Sequence, residues 1–151
     1  MGLQHEFFLV PDTVDAYCFS IERQVEAAID VVYIHDDLIV YMWDTLQWIP
    51  SKTPRKTGIE EGLGLNRWGI TVLDDESVEK ISNILQAWRM LFKMSPHQLT
   101  LTGGLMWTEN ELVEYEQLKF QREEVLEQLD KLIVFTKQVQ NKSYYICHWG
   151  V

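Results

Sequence analysis

The sequence predicts an α+β fold in which a small sheet of about four short strands packs against amphipathic helices. Three observations lead to this prediction. Short runs of β-branched and aromatic residues recur along the chain. Between them, apolar residues are spaced by three or four positions, as on one face of a helix. One stretch, near residues 108–140, contains neither Gly nor Pro and is the longest helical pattern in the chain.

A single globular domain covering residues 1–151 is expected. The chain has 151 residues, of which 46% are apolar and 24% are charged, and these values are ordinary for a globular domain. A chain of this length buries about two thirds of the surface that its unfolded form exposes. One hydrophobic core is therefore sufficient.

The N-terminal segment predicts a strand followed by a helix. Residues 6–10 are typical of a short strand, and Pro11 ends it. Asp12 or Thr13 can then accept a hydrogen bond from a backbone N–H of a first helical turn. The apolar face of this predicted helix consists of Val14, Cys18, Ile21, Val25, Ile29 and Val32.

Residues 31–49 fit either a helix or a β-hairpin. Residues 31–34 and 38–41 favour strands around an Asp36-Asp37 turn. The same segment also carries apolar residues at helical spacing, and Asp36 is an acceptable N-cap. We predict a second helix that ends near Trp48, with the hairpin as the alternative.

Residues 50–67 have the composition of a loop, with two Pro and three Gly. A connection of about eighteen residues is unusually long, and such loops are often functional or disordered. Gly62 and Gly64 do not match a dinucleotide-binding fingerprint, because no third Gly follows at the required offset. The basic residues Lys52, Arg55 and Lys56 make this loop a candidate for contacting a small molecule.

The next segments predict a strand, a helix and a second strand. Residues 68–73 form the strand, and the acidic residues 74–76 begin a helix that Ser95-Pro96 ends. Residues 99–102 alternate as a half-buried strand does, and the following pair of glycines suggests a β-bulge or a close backbone approach. Residues 143–149 predict a last strand near the C-terminus.

The long helix is predicted to begin at Thr108, because Thr108 and Glu111 fit a capping box. If residues 108–140 are all helical, the helix is roughly 45–50 Å long at about 1.5 Å per residue, whereas a compact chain of this size has a radius of gyration of about 15 Å. We therefore predict that residues 126–139 reach the edge of the domain and contribute to a homodimer contact. The alternative is a monomer in which the end of the helix is bent back or covered.

The net charge of −10 is concentrated in the N-terminal third. Residues 1–44 hold nine acidic residues and only one basic residue, whereas residues 45–73 hold two acidic and four basic residues. This charge argues against nucleic acid and anionic membranes as ligands, and favours a basic protein partner. Trp43 and Trp48 lie near predicted element ends, where aromatic rings are often half exposed at interfaces. The predicted partner-binding residues are Asp15, Glu22, Glu26, Asp36, Asp37, Trp43 and Trp48.

The residue types that carry chemistry are scattered. His35, Asp36 and Asp37 are adjacent and point in different directions, so a structural turn or cap is favoured over a metal or hydrolytic site. Cys147 and His148 alternate faces of the last predicted strand, which favours a buried thiol and a hydrogen-bonded histidine. No catalytic, phosphate-binding or metal-binding motif is present. We therefore predict no catalytic residue, no metal and no cofactor.

Two function classes follow from these patterns. The first is a non-catalytic cytoplasmic domain that binds a protein through an acidic and aromatic surface, as an inhibitor, an immunity protein or a regulator does. The cytoplasmic setting rests on two cysteines that are too few for a disulfide framework and on the lack of a signal-peptide or membrane-spanning pattern. The alternative is a small-molecule-binding protein or enzyme. Its pocket would lie between the sheet and the helices and use histidines, aspartates and the basic loop.

Overall fold

The computed structural model describes residues 2–17, 20–141 and 143–151. These residues form eight strands in two antiparallel sheets, together with five helices. The predicted α+β class is confirmed, but the prediction of about four strands is too low. Cys18, a member of the predicted first helical face, lies outside the described residues.

The strands form a larger sheet of six and a smaller sheet of two, in the orders β2-β1-β8-β5-β3-β4 and β6-β7. The strands are β1 (Gln4–Pro11), β2 (Asp30–His35), β3 (Pro50–Arg55), β4 (Gly58–Leu63), β5 (Ile70–Leu73), β6 (Gln98–Trp107), β7 (Val113–Gln121) and β8 (Tyr144–Trp149). The helices are α1 (Glu22–Ala27), α2 (Asp36–Tyr41), α3 (Trp43–Leu46), α4 (Val78–Lys93) and α5 (Arg122–Gln140).

β1 lies between β2 and β8, and both of its faces are covered. Phe7 and Leu9 belong to the main core, which the larger sheet forms with α2 to α5 and with the near end of the smaller sheet. Phe8 and Val10 belong to a second cluster on the opposite face, together with Ile21. A strand that is buried on both faces explains why residues 7–10 are an unbroken apolar run.

The predicted helix from Asp12 to Val32 is wrong in most of its length. α1 has only six residues, and residues 30–35 form β2, which pairs with β1. Within β2, Val32 and Ile34 are buried while Tyr33 is exposed, which is the period of a strand. The β-branched run therefore prevailed over an apolar spacing that also fitted a helix.

The predicted helix between Asp36 and Trp48 is largely confirmed as α2 and α3, which are separated at Met42. The N-cap is His35 rather than Asp36, because the His35 side chain accepts a hydrogen bond from the Asp37 backbone N–H. The hairpin alternative holds only for residues 31–34, which lie in β2.

The predicted loop at residues 50–67 is instead a hairpin of β3 and β4, joined by a two-residue turn at Lys56 and Thr57. β3 carries Pro50 and Pro54, which cannot donate a backbone hydrogen bond. β3 tolerates them because its register with β5 is limited to the pair of Lys52 and Val72. Proline content therefore indicated a loop where the chain forms a strand that is fully paired with β4 and sparsely paired with β5.

Four other predicted elements are confirmed. β1, β5, α4 and β8 lie where the apolar patterns placed them. The predicted strand at residues 99–102 is the first half of β6, and its register with β7 shifts between Thr102 and Leu105, where the predicted bulge lies.

The predicted long helix begins too early, because residues 113–121 form β7 rather than part of the helix. Thr108 lies in the turn between β6 and β7, where its Oγ1 accepts a hydrogen bond from the Leu112 N–H and its carbonyl accepts one from the Glu111 N–H. Glu111 has a φ of 57°, a left-handed conformation that closes the turn. The capping-box residues therefore stabilise a hairpin, and the helix begins only at Arg122.

The shorter helix removes the argument for an overhang. α5 has 19 residues, and its apolar side chains lie in or against the main core, except Val134, which is 50% exposed. The homodimer contact through residues 126–139 stays an untested prediction. It rests on a helix longer than the domain is wide, and α5 is shorter than that helix. No helix within the described ranges is long and apolar enough to cross a membrane.

Gly64 closes the β3-β4 hairpin against α3 and is expected to be intolerant of substitution. Its φ is 86°, and an added Cβ would lie 2.9 Å from the Gln47 Cα. We expect Gly64→Ala to lower the free energy of unfolding by about 1–3 kcal/mol, through crowding and backbone strain. Denaturant titration measures this loss. Gly62→Ala is the matched control, because no atom lies within 4 Å of its added Cβ; an equal loss in both variants would contradict the explanation.

Candidate functional site

The β6-β7 ribbon is buried at one end and exposed at the other. Leu99, Leu101 and Leu118 are buried in the main core. Beyond the bulge, residues 104–116 extend away from the core and are exposed throughout, except that Thr108 in the turn is half-buried. We call residues 104–116 the distal hairpin.

The bulge reverses which face of the ribbon is apolar. Before the bulge, Leu101 pairs with Leu118 on the core side; after it, Leu105 pairs with Tyr115 and Trp107 pairs with Val113. Tyr115 lies an odd number of residues from Leu118 along β7, so its side chain points to the opposite face. An added Cβ at Gly103 would lie 3.1 Å from the Glu116 Cβ, which favours glycine at this irregularity.

One face of the distal hairpin therefore carries four apolar side chains in cross-strand contact positions. The exposed fractions are 62% for Leu105, 76% for Trp107, 48% for Val113 and 58% for Tyr115. A two-stranded ribbon has no further layer to cover this face, and no element in the described part of the chain buries it. Contiguous exposed apolar side chains of this kind mark interaction sites.

All charged side chains of the distal hairpin are acidic. It contains Glu109, Glu111, Glu114 and Glu116 and no Lys, Arg or His, which makes its formal charge −4. Glu114 pairs with Met106 on the face opposite the apolar cluster. The apolar face is thus framed by carboxylates and lacks any compensating cation within the segment.

A cleft of about 350 Å³ joins the distal hairpin to α2. Its walls include Asp37, Val40 and Tyr41 on one side and Gly103 and Glu116 on the other. Val40 and Tyr41 are 41% and 42% exposed. The apolar and acidic character of the hairpin therefore continues onto the exposed face of α2.

The predicted partner-binding residues do not form one surface. Asp15, Glu22 and Glu26 are exposed, but they lie in and before α1, which packs on the face of the larger sheet opposite α2 to α5. Asp37 lines the cleft beside the distal hairpin. Asp36 is a correction: only 6% of it is exposed, so it is not a surface residue.

The two predicted tryptophans differ in exposure. Trp43 is partly buried against the main core, whereas Trp48 is 60% exposed. The basic residues of the predicted loop are spread along the β3-β4 hairpin. The Lys52 Nζ lies 2.7 Å from an Asp74 carboxylate oxygen, the Arg55 Nε donates to Glu60, and Lys56 is exposed in the turn.

A chain of buried polar side chains links β8, β1 and α2. The His148 Nε2 lies 2.8 Å from the His5 Nδ1, and the His5 Nε2 lies 2.9 Å from the Asp36 Oδ1. The Arg67 guanidinium donates to the Asp36 Oδ2 at 2.8 Å. We call these four residues the histidine cluster. Both histidines are fully buried, and their rings stack with centroids 5.1 Å apart.

The hydrogen-bond directions in the histidine cluster follow from the charge of Asp36. An ionised carboxylate can only accept, so the His5 Nε2 carries a hydrogen and, in a neutral ring, the His5 Nδ1 accepts. The His148 Nε2 then donates to it. The His148 Nδ1 is left as a buried acceptor without a partner among the described residues.

Burial controls the charge states in the histidine cluster. Burial lowers the pKa of His148 well below its usual 6.5, and the charge of His5 lowers this pKa further. Burial also lowers the pKa of His5, although the hydrogen bond to Asp36 opposes this shift. For Asp36, burial opposes ionisation, but hydrogen bonds from Arg67 and His5 outweigh it and lower the pKa of the carboxyl below 3.8.

The histidine cluster supports a structural role rather than a reactive one. Neither His5, His148 nor Asp36 lines any of five clefts on the described part of the chain. Within the described residues, no three His, Cys, Asp or Glu side chains are grouped so as to hold a metal ion. Burial raises the pKa of the Cys147 thiol to about 12, which keeps the thiol protonated and unreactive.

Sequence reasoning missed the distal hairpin because residues 108–121 also fit a helical pattern. One signal could have located it: residues 113–116 alternate apolar and acidic side chains with the period of a strand. Comparisons of the chain with protein-family models, with curated proteins and with solved structures gave no match.

Proposed function

We propose that this chain is a non-catalytic protein-binding domain that holds a basic partner on the distal hairpin and the adjoining face of α2. One observation carries the proposal: four exposed apolar side chains share one face of the ribbon, and four glutamates and no cation accompany them. The contact would operate in the cytoplasm, as an inhibitor, an immunity protein or a regulator does.

The apolar face supplies the affinity in this proposal. Trp and Tyr are the residue types that most often dominate the binding energy of an interface when they fill a partner's pocket. Trp107 and Tyr115 lie on the same face as Leu105 and Val113. Placing these side chains against a partner removes them from water without any change in the core.

The carboxylates supply the selectivity. Four glutamates within thirteen residues repel an acidic surface and attract a basic one. The same repulsion disfavours pairing between two copies of the distal hairpin. Asp15, Glu22 and Glu26 lie on another part of the surface, and in this proposal they add to the long-range attraction without contacting the partner.

The alternative function, a small-molecule site or enzyme between the sheet and the helices, has less support. It would use the histidines and Asp36, and these side chains are buried and hydrogen-bonded to one another. The basic residues that this alternative assigns to ligand binding lie on the β3-β4 hairpin, where Lys52 and Arg55 form ion pairs.

The test compares two double variants in the capture of a basic partner. Leu105→Ser with Trp107→Ser removes half of the apolar face, and we expect it to weaken binding about 100-fold or more, because hot-spot residues each contribute about 2 kcal/mol or more. Ile59→Ser with Leu63→Ser is the matched control on another exposed hairpin, where the side chains are 48% and 69% exposed. Captured proteins are identified by mass spectrometry, and affinities are measured by calorimetry.

The charge of the partner and the salt dependence complete the test. The captured protein should be basic, and its association should slow as salt rises through the physiological range, where the Debye length is about 8 Å. An acidic partner, an association rate that is indifferent to salt, or equal binding by both double variants would refute the proposal.

A further inference from the structure

A second cleft lies at the end of β8, away from the distal hairpin. It has a volume of about 520 Å³ and is formed by the end of β3, the turn before β5 and the C-terminal residues. Its size falls within the usual range for small-molecule sites, about 300–1,000 Å³. Two arginines and two tryptophans line it, so we call it the arginine cleft; these residues are Arg55, Arg67, Trp68 and Trp149.

The charge of the arginine cleft is opposite to that of the rest of the protein. No Asp or Glu side chain lines it. Each of the four other clefts described for the chain is lined by at least two carboxylates. Among the described lining residues, the charged side chains are those of Arg55 and Arg67, and each pairs with one carboxylate, Glu60 and Asp36 respectively.

The wall of the arginine cleft is rigid. The Asn66 side-chain amide donates to the Thr53 Oγ1 at 2.8 Å and to the Ile70 carbonyl at 2.7 Å, which ties the turn to β3 and β5. Gly150 packs directly on this turn, since an added Cβ would lie 2.0 Å from the Arg67 carbonyl oxygen. Such a preformed wall lowers the entropy lost on binding a ligand.

Arg67 is held in place by its contacts with Asp36 and Trp68. One of its terminal nitrogens donates to Asp36, and its guanidinium lies 5.2 Å from the centre of the Trp68 ring. Its Nε is buried and has no hydrogen-bond partner among the described residues. Arg55, on the other wall, pairs with the solvent-exposed Glu60, and such exposed ion pairs are weak and readily exchanged.

The two tryptophan rings are exposed although they are large and apolar. Trp68 is 77% exposed and Trp149 is 40% exposed. Exposed indole rings beside guanidinium groups offer a stacking surface next to an anion site. The two features together define the chemistry of a ligand: a flat ring and a negative charge.

We propose that the arginine cleft binds a small molecule in which an aromatic ring carries an anionic group, a phosphate or a carboxylate. The ring stacks on Trp68, the more exposed of the two indoles, and the anion accepts hydrogen bonds from Arg55 and Arg67. Arg67 lines both this cleft and the cleft beside the distal hairpin. Arg55 and Trp68 line only the arginine cleft of these two, so variants at those residues test this proposal separately from the first.

The test measures binding of four probes to the whole chain by calorimetry or ligand-observed NMR. The probes are adenosine monophosphate, an aromatic carboxylate such as indole-3-acetate, adenosine alone and inorganic phosphate alone. We expect at least one of the two aromatic anions to bind with a dissociation constant below about 1 mM, and at least tenfold more tightly than adenosine or phosphate. The stronger of the two identifies the anionic group.

Surface variants assign the binding to this cleft. Arg55→Gln and Trp68→Leu should each weaken binding of the probe at least fivefold. Arg23→Gln and Trp48→Leu, at exposed residues of the same types elsewhere, should leave this binding unchanged. The proposal is overturned if neither aromatic anion binds below that limit, if phosphate alone binds as tightly, or if the two cleft variants bind as the wild type does.

Discussion

Asp36→Ala is expected to lower the free energy of unfolding by about 3 kcal/mol at neutral pH, because it leaves charged Arg67 and buried His5 without their shared partner. Removing one member of a buried charged pair typically has an effect of about 3–5 kcal/mol. We expect the lower end of this range, since the Arg67 side chain is 37% exposed and water can replace part of the lost interaction. Chemical denaturation of the purified variant measures the change.

Asp37→Ala is the matched control for this substitution. Asp37 is adjacent to Asp36 and lies in the same first turn of α2, but its side chain is 40% exposed and its Oδ2 is 3.5 Å from the His35 Nδ1. Exposed ion pairs contribute about 0–1 kcal/mol, so this variant should be nearly as stable as the wild type. Equal losses in both variants would show that the helix terminus, rather than the histidine cluster, accounts for the effect.

The contrast between Asp36 and Asp37 shows what could not be predicted from local sequence. Both residues fit a helix N-terminus, and this prediction is correct for both. Which of the two is buried depends on His5 and Arg67, each 31 residues away along the chain. No local sequence pattern shows which aspartate is buried. For this reason, the sequence predicts both Asp36 and Asp37 as partner-binding residues.

His5 and His148 are a second case in which local sequence does not show which side chains meet. His5 and His148 are separated by 143 positions in the sequence and meet because β1 and β8 are neighbours in the larger sheet. The alternation of Cys147 and His148 along a last strand was predictable. Their partners depended on the strand order, which residue spacing does not determine.

Helix and strand predictions failed where two periodicities fitted the same residues. Residues 113–120 carry apolar side chains at helical spacing, and they also alternate as a strand does. The pairing of β7 with β6, which a single-sequence pattern does not contain, resolved the ambiguity. Elements whose pattern fitted one period only, such as α4, were predicted with the correct type.

Correcting the helix at residues 108–121 to a hairpin also changes where the binding surface is proposed to lie. A continuous helix from residue 108 would bury Tyr115 and Val113 or spread them around a cylinder. The observed hairpin instead brings both onto one face with Leu105 and Trp107. The acidic and aromatic character inferred from composition is retained in the proposal, but its location changes from the N-terminal third to the distal hairpin.

Acidification is expected to destabilise the protein well above the pH at which carboxylates titrate. His5 and His148 have folded-state pKa values lowered below 6.5, so below pH 6.5 the unfolded chain binds protons that the folded chain does not. Their contribution to stability is thus complete above pH 6.5 and is lost as the pH falls toward the folded-state pKa values. Each such proton corresponds to about 1.4 kcal/mol per pH unit. We expect the free energy of unfolding to fall between pH 7 and pH 5, with the larger share from His148, whose pKa is the more strongly lowered of the two.

Two histidine variants separate the histidine cluster from other titrating groups in this measurement. His148→Gln keeps a donor for the His5 Nδ1 but removes one of the two titrating rings, so the slope of unfolding free energy against pH should be smaller than in the wild type. His97→Gln is the surface control for this substitution, because the His97 side chain is 81% exposed. The lowered pKa of Asp36 acts only below about pH 4 and lies outside this range. If the free energy of unfolding of the wild type is constant between pH 7 and pH 5, the two histidines are not buried in the neutral form. Buried neutral histidines must lower this free energy on acidification, because only the unfolded chain takes up their protons.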